Sequence, residues 1–205
     1  NYVYENKDNG SYYIRFLHNA LRLESARWLR RTVIPYKLDI LLTFKCHSRC
    51  RTCNIWSYYS SNPETSAFEL TAEQIINTGK SVRDHTRWIN LSGGEVTERE
   101  DLFEILHGII VAAGDHLTML NINTNGMYPD RIEKIFSGIL KLNPKVALDV
   151  SISLDGAADI HDHIRGIPSA YNNALASKSI LHGLFRNSHR HKVRFQTTIS
   201  RHNAE

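Results

Sequence analysis

The sequence has 205 residues, 41% hydrophobic and 22% charged, enough for one domain with a buried core and ordinary for a globular protein. Its formal net charge of +4 comes from basic residues scattered along the chain with no pure Lys/Arg run, which argues against a nucleic-acid partner. No apolar run is long enough to span a membrane, and no charged-then-apolar leader is present; because the first residue is Asn1 rather than Met, the chain is expected to be part of a longer product.

Residues 1–36 read as an N-terminal extension. Ile14, Leu17, Leu21 and Trp28 recur at helical spacing, while Arg15, Arg22, Arg27, Arg30 and Arg31 fall mostly on other faces. This predicts a basic amphipathic helix, packed against the domain after it and ended by Pro35. From Lys37 onward strands and helices alternate. Lys37–Phe44, Trp88–Leu91, Thr118–Asn123, Val146–Leu154 and Lys192–Ile199 are the strand candidates. Between them lie predicted helices at Thr71–Arg83, Asp101–Ala113, Pro129–Leu142 and Asn172–Arg186. Thr71 and Gln74 fit a capping box, and Pro129 suits a first helical turn. Strict alternation predicts an α/β fold with a parallel sheet. An open doubly wound sheet and a (β/α) barrel both satisfy it.

The polar residues fall at one end of every strand. Cys46-His-Ser-Arg-Cys50-Arg-Thr-Cys53 follows the first, Ser92-Gly93-Gly94-Glu95 the second, and Thr124-Asn125-Gly126 the third. Ser153-Leu154-Asp155-Gly156 follows the fourth and Thr198-Ile199-Ser200 the fifth. In parallel α/β folds ligands lie beyond the carboxyl ends of the strands, so these loops describe one site.

All 3 cysteines fall within one short loop, which is wrong for a disulfide framework and suits a metal or cluster in a reducing compartment. The expected location is therefore cytoplasmic. A cubane cluster usually takes four Cys ligands, and three leave one iron open to a bound molecule. The alternatives are a zinc site completed by a histidine, or unligated buried thiols. His47 is poorly placed for zinc, and His161 and His163 are distant in sequence.

The loop CHSRCRTC resembles the cluster loop of the radical S-adenosylmethionine (SAM) superfamily, and SGGE at Ser92–Glu95 resembles its Gly-Gly-Glu segment. The segment His161-Asp-His-Ile-Arg165-Gly166 looks like one found in the branch of molybdenum-cofactor GTP cyclases and SPASM-type peptide and sulfatase maturases. The resemblance implies a partial (β/α) barrel over 37–205, truncated after strand five. It implies that Cys46, Cys50 and Cys53 bind a 4Fe–4S cluster whose open iron chelates SAM. It further implies SAM contacts at Gly93, Gly94, Glu95, Thr124, Asn125, Ser153 and Asp155, with Glu95 accepting from the ammonium and Arg165 facing the carboxylate. Thr52 stands where the family often has an aromatic or apolar residue.

The implied reaction is reductive cleavage of SAM to a 5′-deoxyadenosyl radical that abstracts hydrogen from a small-molecule or peptide substrate. The electron would come from an external donor such as a flavodoxin or ferredoxin. Two readings of other classes compete with it. One is an iron–sulfur electron-transfer protein that does not cleave SAM, the other a zinc-binding interaction module. An amino-acid pocket of the Gly-Gly-Glu kind is needed by neither. Trp56, Tyr58 and Tyr59 are expected to pack near the cluster loop.

Overall fold

A computed structural model describes residues 9–31, 33 and 35–204; residues 1–8 of the extension and the side chains of Arg15 and Arg22 lie outside the described residues. The chain divides into two compact units, 1–36 and 37–205. In the first, α1 spans Asn9–Trp28. Pro35 does not end it. Arg30 adopts a left-handed conformation (φ 49°), and Arg31 N–H then donates to the Ala26 carbonyl at 2.8 Å, closing the last turn well before the proline.

The second unit is built on five parallel strands in the order β1 (Lys37–Leu41), β2 (Trp88–Ser92), β3 (Met119–Thr124), β4 (Ala147–Ser153) and β5 (Lys192–Gln196). The intervening helices are α2 (Ile55–Ser61), α3 (Ala72–Val82), α4 (Leu102–Ala113), α5 (Pro129–Leu140), α6 (Ala158–Arg165) and α7 (Ala170–Phe185). Sequential spatial order without reversal is the arrangement of a barrel wall. A doubly wound sheet reverses at a switch point.

Parallel strands buried on both faces read as continuous apolar runs. These alternate instead. Ile40, Leu42, Ile89, Leu91, Leu120, Ile122, Leu148, Val150 and Ile152 form the apolar face and are all buried. Against them pack Ile75 of α3, Leu106 and Ile109 of α4, Ile132 and Phe136 of α5, and Leu181 and Phe185 of α7. The opposite face is polar. Asp39, Asn90, Asn121 and Asp149 sit side by side in one register row, and Asn123, Ser151 and Arg194 in the next.

These side chains bond to one another. Asn90 Nδ2 donates to Asp39 Oδ1 at 2.7 Å, Asn123 Nδ2 to Asn90 Oδ1 at 2.8 Å, and Arg194 Nη1 lies 2.6 Å from Asp149 Oδ2. A cavity of about 470 Å³ opens on this face, lined by Asn90, Asn121, Asn123, Ser153, Arg194 and Gln196 among others.

Local signals account for most boundaries. Thr71 Oγ1 accepts from Gln74 N while Gln74 Oε1 accepts from Thr71 N, so the capping box is complete. Pro129 opens α5. Asp101 stands before α4 but leaves its carboxylate to Arg99, with Arg99 Nε 2.8 Å from Asp101 Oδ1. β1 and β5 are shorter than predicted. Thr43 and Phe44 leave the ladder to bond Glu69 Oε1, and Thr198 leaves it to donate to Asp155 Oδ1. Helices α2 and α6 are short elements absent from the predicted set.

Candidate active site at the carboxyl rim of the sheet

The cluster loop begins where β1 leaves the sheet. Cys46 is half-buried, Cys50 buried and Cys53 exposed, all as free thiols. Burial pushes the Cys46 thiol up to about 12; the Ser48 main-chain hydrogen bond opposes this, and the nearby Glu95 and Glu98 carboxylates reinforce it. Burial also raises Cys50, against the opposing charge of Arg165. Bare thiolates are thus disfavoured at Cys46 and Cys50. A cationic centre that shares their charge would reverse this.

The Gly93–Gly94 turn packs backbone against backbone on the stem of that loop. Gly94 N donates to Thr43 O at 2.7 Å and Glu95 N to Lys45 O at 2.9 Å. Gly93 has φ +145°, and a Cβ there would lie 2.5 Å from Thr43 O; at Gly94 it would lie 2.3 Å from Lys45 O. Only glycine fits either position.

Glu95 is 1% exposed. Its Oε1 accepts from Thr97 N at 3.0 Å, Thr97 Oγ1 at 2.6 Å and Thr124 Oγ1 at 2.7 Å, and its Oε2 from Asn125 N at 2.7 Å. The carboxylate therefore binds the end of β2 to the end of β3, and Oε2 keeps room for one further donor. Thr124 Oγ1 also accepts from Gly126 N at 3.1 Å. Asn125 Nδ2 donates to Ser48 Oγ at 2.9 Å, inside the cluster loop, while its Oδ1 accepts from Met127 N.

A second network approaches from β4 and α6. Asp155 is 2% exposed, with Oδ1 accepting from Thr198 N at 3.1 Å and Oδ2 lying 2.8 Å from Arg165 Nη2. Its N–H donates to His161 Nδ1 at 3.0 Å, which leaves the proton of a neutral imidazole on Nε2. Burial first, and Arg165 second, hold His161 below the ordinary histidine value. Arg165 Nη1 lies 3.8 Å from Cys50 Sγ, and its Nε is buried without a hydrogen-bond partner among the described residues. Ser153 ends β4 opposite Gln196 and lines the cavity on the polar face.

The rim thus gathers all the predicted site residues. It also adds several that spacing alone did not reveal. Ser48 lies inside the cysteine loop. Glu98 holds His47 through Nδ1 and through its N–H at 2.7 Å, with Tyr128 Oη 3.2 Å from the same Nδ1. Burial would raise Glu98, but the bonds from His47 keep it below the usual carboxylate range. His47 Nδ1 is therefore engaged by Glu98 and Tyr128, while its Nε2 is buried without a hydrogen-bond partner among the described residues. Trp56 packs at the cluster loop, where its Nε1–H donates to Cys50 O at 3.2 Å and Arg49 lies over its ring at 5.3 Å.

These features fit an iron–sulfur cluster with an open iron. Among the described residues, no three His, Cys, Asp or Glu side chains converge on one ion position. Main-chain N–H groups already turn toward the sulfurs, as Ile55 N does to Cys53 Sγ at 3.5 Å. A three-cysteine loop braced by a Gly-Gly-Glu turn, at the carboxyl rim of a parallel barrel wall, defines an α/β core whose loop chemistry suits a cluster.

Comparison with known proteins gives the same answer. The Radical SAM superfamily model matches residues 40–180. The AdoMet-dependent heme synthase of Methanosarcina barkeri is 29% identical over 178 residues, covering 80% of this chain and 42% of the relative. The mycofactocin maturase MftC of Mycobacterium ulcerans is 27% identical over 179 residues, covering 82% and 41%. Among solved structures, Streptococcus suis SuiB bound to precursor peptide SuiA superposes with a TM-score of 0.61 at 16% identity, over 100% of this chain and 42% of that one. The chain belongs to the radical SAM superfamily, and that membership implies SAM and a 4Fe–4S cluster. It spans about two fifths of the length of the relatives it matches. Among the described residues, no helix is long and apolar enough to cross a membrane.

Proposed function

We propose that residues 37–205 are the SAM-cleaving core of a radical SAM enzyme, with residues 1–36 as an extension. When bound, the cluster and SAM would supply one-electron cleavage of the sulfonium and a hydrogen-abstracting carbon radical. Everything else falls to the chain. Cys46, Cys50 and Cys53 would hold the cluster, and the observation that carries this reading is their placement beside the Gly93–Gly94 turn.

The remaining rim residues divide by availability. Gly93 and Gly94 would present backbone to the methionine part of SAM, and Glu95 would spend its last acceptor position on the ammonium. Thr124 and Asn125 hold that carboxylate and the loop in register. Ser153 and Asp155 would face the ribose. Arg165 keeps a buried Nε–H for the SAM carboxylate, a charge-assisted contact suited to a guanidinium.

The substrate we assign is a peptide. Two observations support it: relatives include maturases, and the polar face offers Asn121, Asn123, Ser153 and Gln196 as amide and hydroxyl partners for main-chain groups. The electron would come from a flavodoxin- or ferredoxin-type donor, and we assign the protein to the cytoplasm, where such a reducing supply would be met.

The test is anaerobic reconstitution of the full-length protein with iron and sulfide, followed by SAM and a reductant. The expected result is a cluster signal perturbed by SAM and the formation of 5′-deoxyadenosine. Absence of both from the wild-type protein overturns the assignment. Cys50→Ala should bind less iron and form no 5′-deoxyadenosine; full activity in that variant would remove Cys50 from the ligand set.

A further inference from the structure

Helix α6 ends against the cluster loop, and it does so through two kinds of contact. The first is main-chain. Arg49 N donates to Arg165 O at 2.9 Å and Arg51 N to Ile164 O at 2.8 Å, so the last carbonyls of α6, which have no partner within the helix, are satisfied by the loop. Gly166 closes the helix with φ +65°, and a Cβ there would lie 2.6 Å from Arg49 O. Arg51 adds a side-chain bond, its Nε donating to His163 O at 3.2 Å.

The second contact is the guanidinium. Arg165 Nη2 is fixed by Asp155 Oδ2 at 2.8 Å, and Asp155 is in turn held by Thr198 N and by its own N–H on His161. The Arg165 side chain is only 14% exposed, so its charge is poorly screened. That arrangement aims Nη1 at Cys50 Sγ, 3.8 Å away. Cys50 is itself buried, at 8% exposure.

We propose that the carboxyl end of α6 does two separable jobs for the cluster: its main chain templates the loop, and Arg165, oriented by Asp155, donates to the Cys50 sulfur and raises the cluster's reduction potential. This rests on the cluster reading under the proposed function. Reduction adds an electron to a centre that already carries thiolate charge. A fixed, poorly solvated cation on one thiolate stabilises the reduced form more than the oxidised one, and hydrogen bonds to the sulfurs shift potential in the same direction. Arg165 is thus a positioning and tuning residue for the electron-accepting step, in addition to any contact with SAM. The division of labour follows from geometry, because removing the guanidinium leaves both main-chain bonds in place.

The experiment is a redox titration of the reconstituted full-length protein without SAM, followed by electron paramagnetic resonance, with iron and sulfide counted per chain. Arg165→Gln is expected to hold as much iron as wild type and to be harder to reduce. The expected shift is at least tenfold in the reduced-to-oxidised ratio at fixed potential, about 59 mV lower for one electron. Arg165→Lys keeps a charge without the fork and should fall between. Gly166→Ala should do the reverse, lowering iron content while the clusters that do form keep a near-wild-type potential. Arg165→Gln with an unchanged potential overturns the tuning role, and Arg165→Gln without a cluster overturns the separation of the two jobs. If the wild-type protein itself binds no cluster, the underlying assignment fails instead.

Discussion

The Glu95 carboxylate receives the main-chain N–H of Asn125 at 2.7 Å, and this single bond joins the loops after β2 and β3 under the cluster loop. With the bonds from Thr97 and Thr124, it makes Glu95 an internal strut as well as a candidate SAM contact. A glutamate is required because all four donors need acceptors. Glu95→Gln puts an amide NH₂ against one of those N–H or O–H groups and leaves a buried donor unmatched. The expected cost is about 1–3 kcal/mol in the denaturant melt of the metal-free protein. An unchanged midpoint would show that the strut carries no load.

Asn125 links that strut to the cysteines through Ser48. Asn125→Ala removes the bond to Ser48 and the local bond to Met127 N together. Amides of residues 46–53 should then exchange with deuterium faster, by roughly tenfold for about 1.4 kcal/mol of lost local stability. Amides of α5 should be unaffected, and hydrogen exchange read by mass spectrometry separates the two.

Glycine positions offer a paired contrast. At Gly94 a Cβ would meet the Lys45 carbonyl oxygen at 2.3 Å, a backbone atom that cannot swing away. Gly94→Ala should cost about 3 kcal/mol or more and deplete folded protein. Gly183 lies on the exposed side of α7 with nothing within 4 Å of its added Cβ. There, Gly183→Ala should stabilise by about 0.5–1 kcal/mol. Thermal melts of the two variants should move in opposite directions.

His161 sets a pH dependence whose sign comes from its surroundings. It is fully buried beside Arg165, with Asp155 and Asp162 opposing, and its folded value lies below the ordinary one. The unfolded chain therefore binds a proton that the folded protein resists. His161 contributes its stability above the unfolded value of about 6.5, and that contribution is lost as pH falls from there through the lowered folded value. His161→Gln can accept from Asp155 N without titrating, so its melting midpoint should decline less than wild type between pH 7 and 5. Parallel declines would show that other groups dominate this window.

Much of the fold was legible in the chain. Each strand was placed by its apolar residues, α1 by its periodicity, and α3 and α5 by the capping box and the first-turn proline that open them, because all of these signals are local. The ends were less legible. Thr43, Phe44, Thr197 and Thr198 carry β-like side chains yet leave the sheet, since bonds to Glu69, Leu154 and Asp155 outweigh the ladder there. Helix α6 escaped notice because it is short, and Asp159, His161, Asp162, His163 and Arg165 leave it little apolar periodicity. Pro35 misled for the opposite reason: a proline marks where a helix cannot continue, while Arg30 marks where this one stops.

The sequence by itself determined the chemistry of the site: three thiols on one loop, a Gly-Gly-Glu turn, and strand ends that all carry polar residues. Spacing along the chain suffices for that, because ligand identity is a local property. Only the tertiary structure decided between barrel wall and doubly wound sheet, by placing β1 to β5 in unbroken order with one polar face. It also decided what the rim residues do. Asn125 meets Ser48 across 77 positions and Arg165 meets Cys50 across 115, and contacts at that separation arise from the packing of the sheet and its helices.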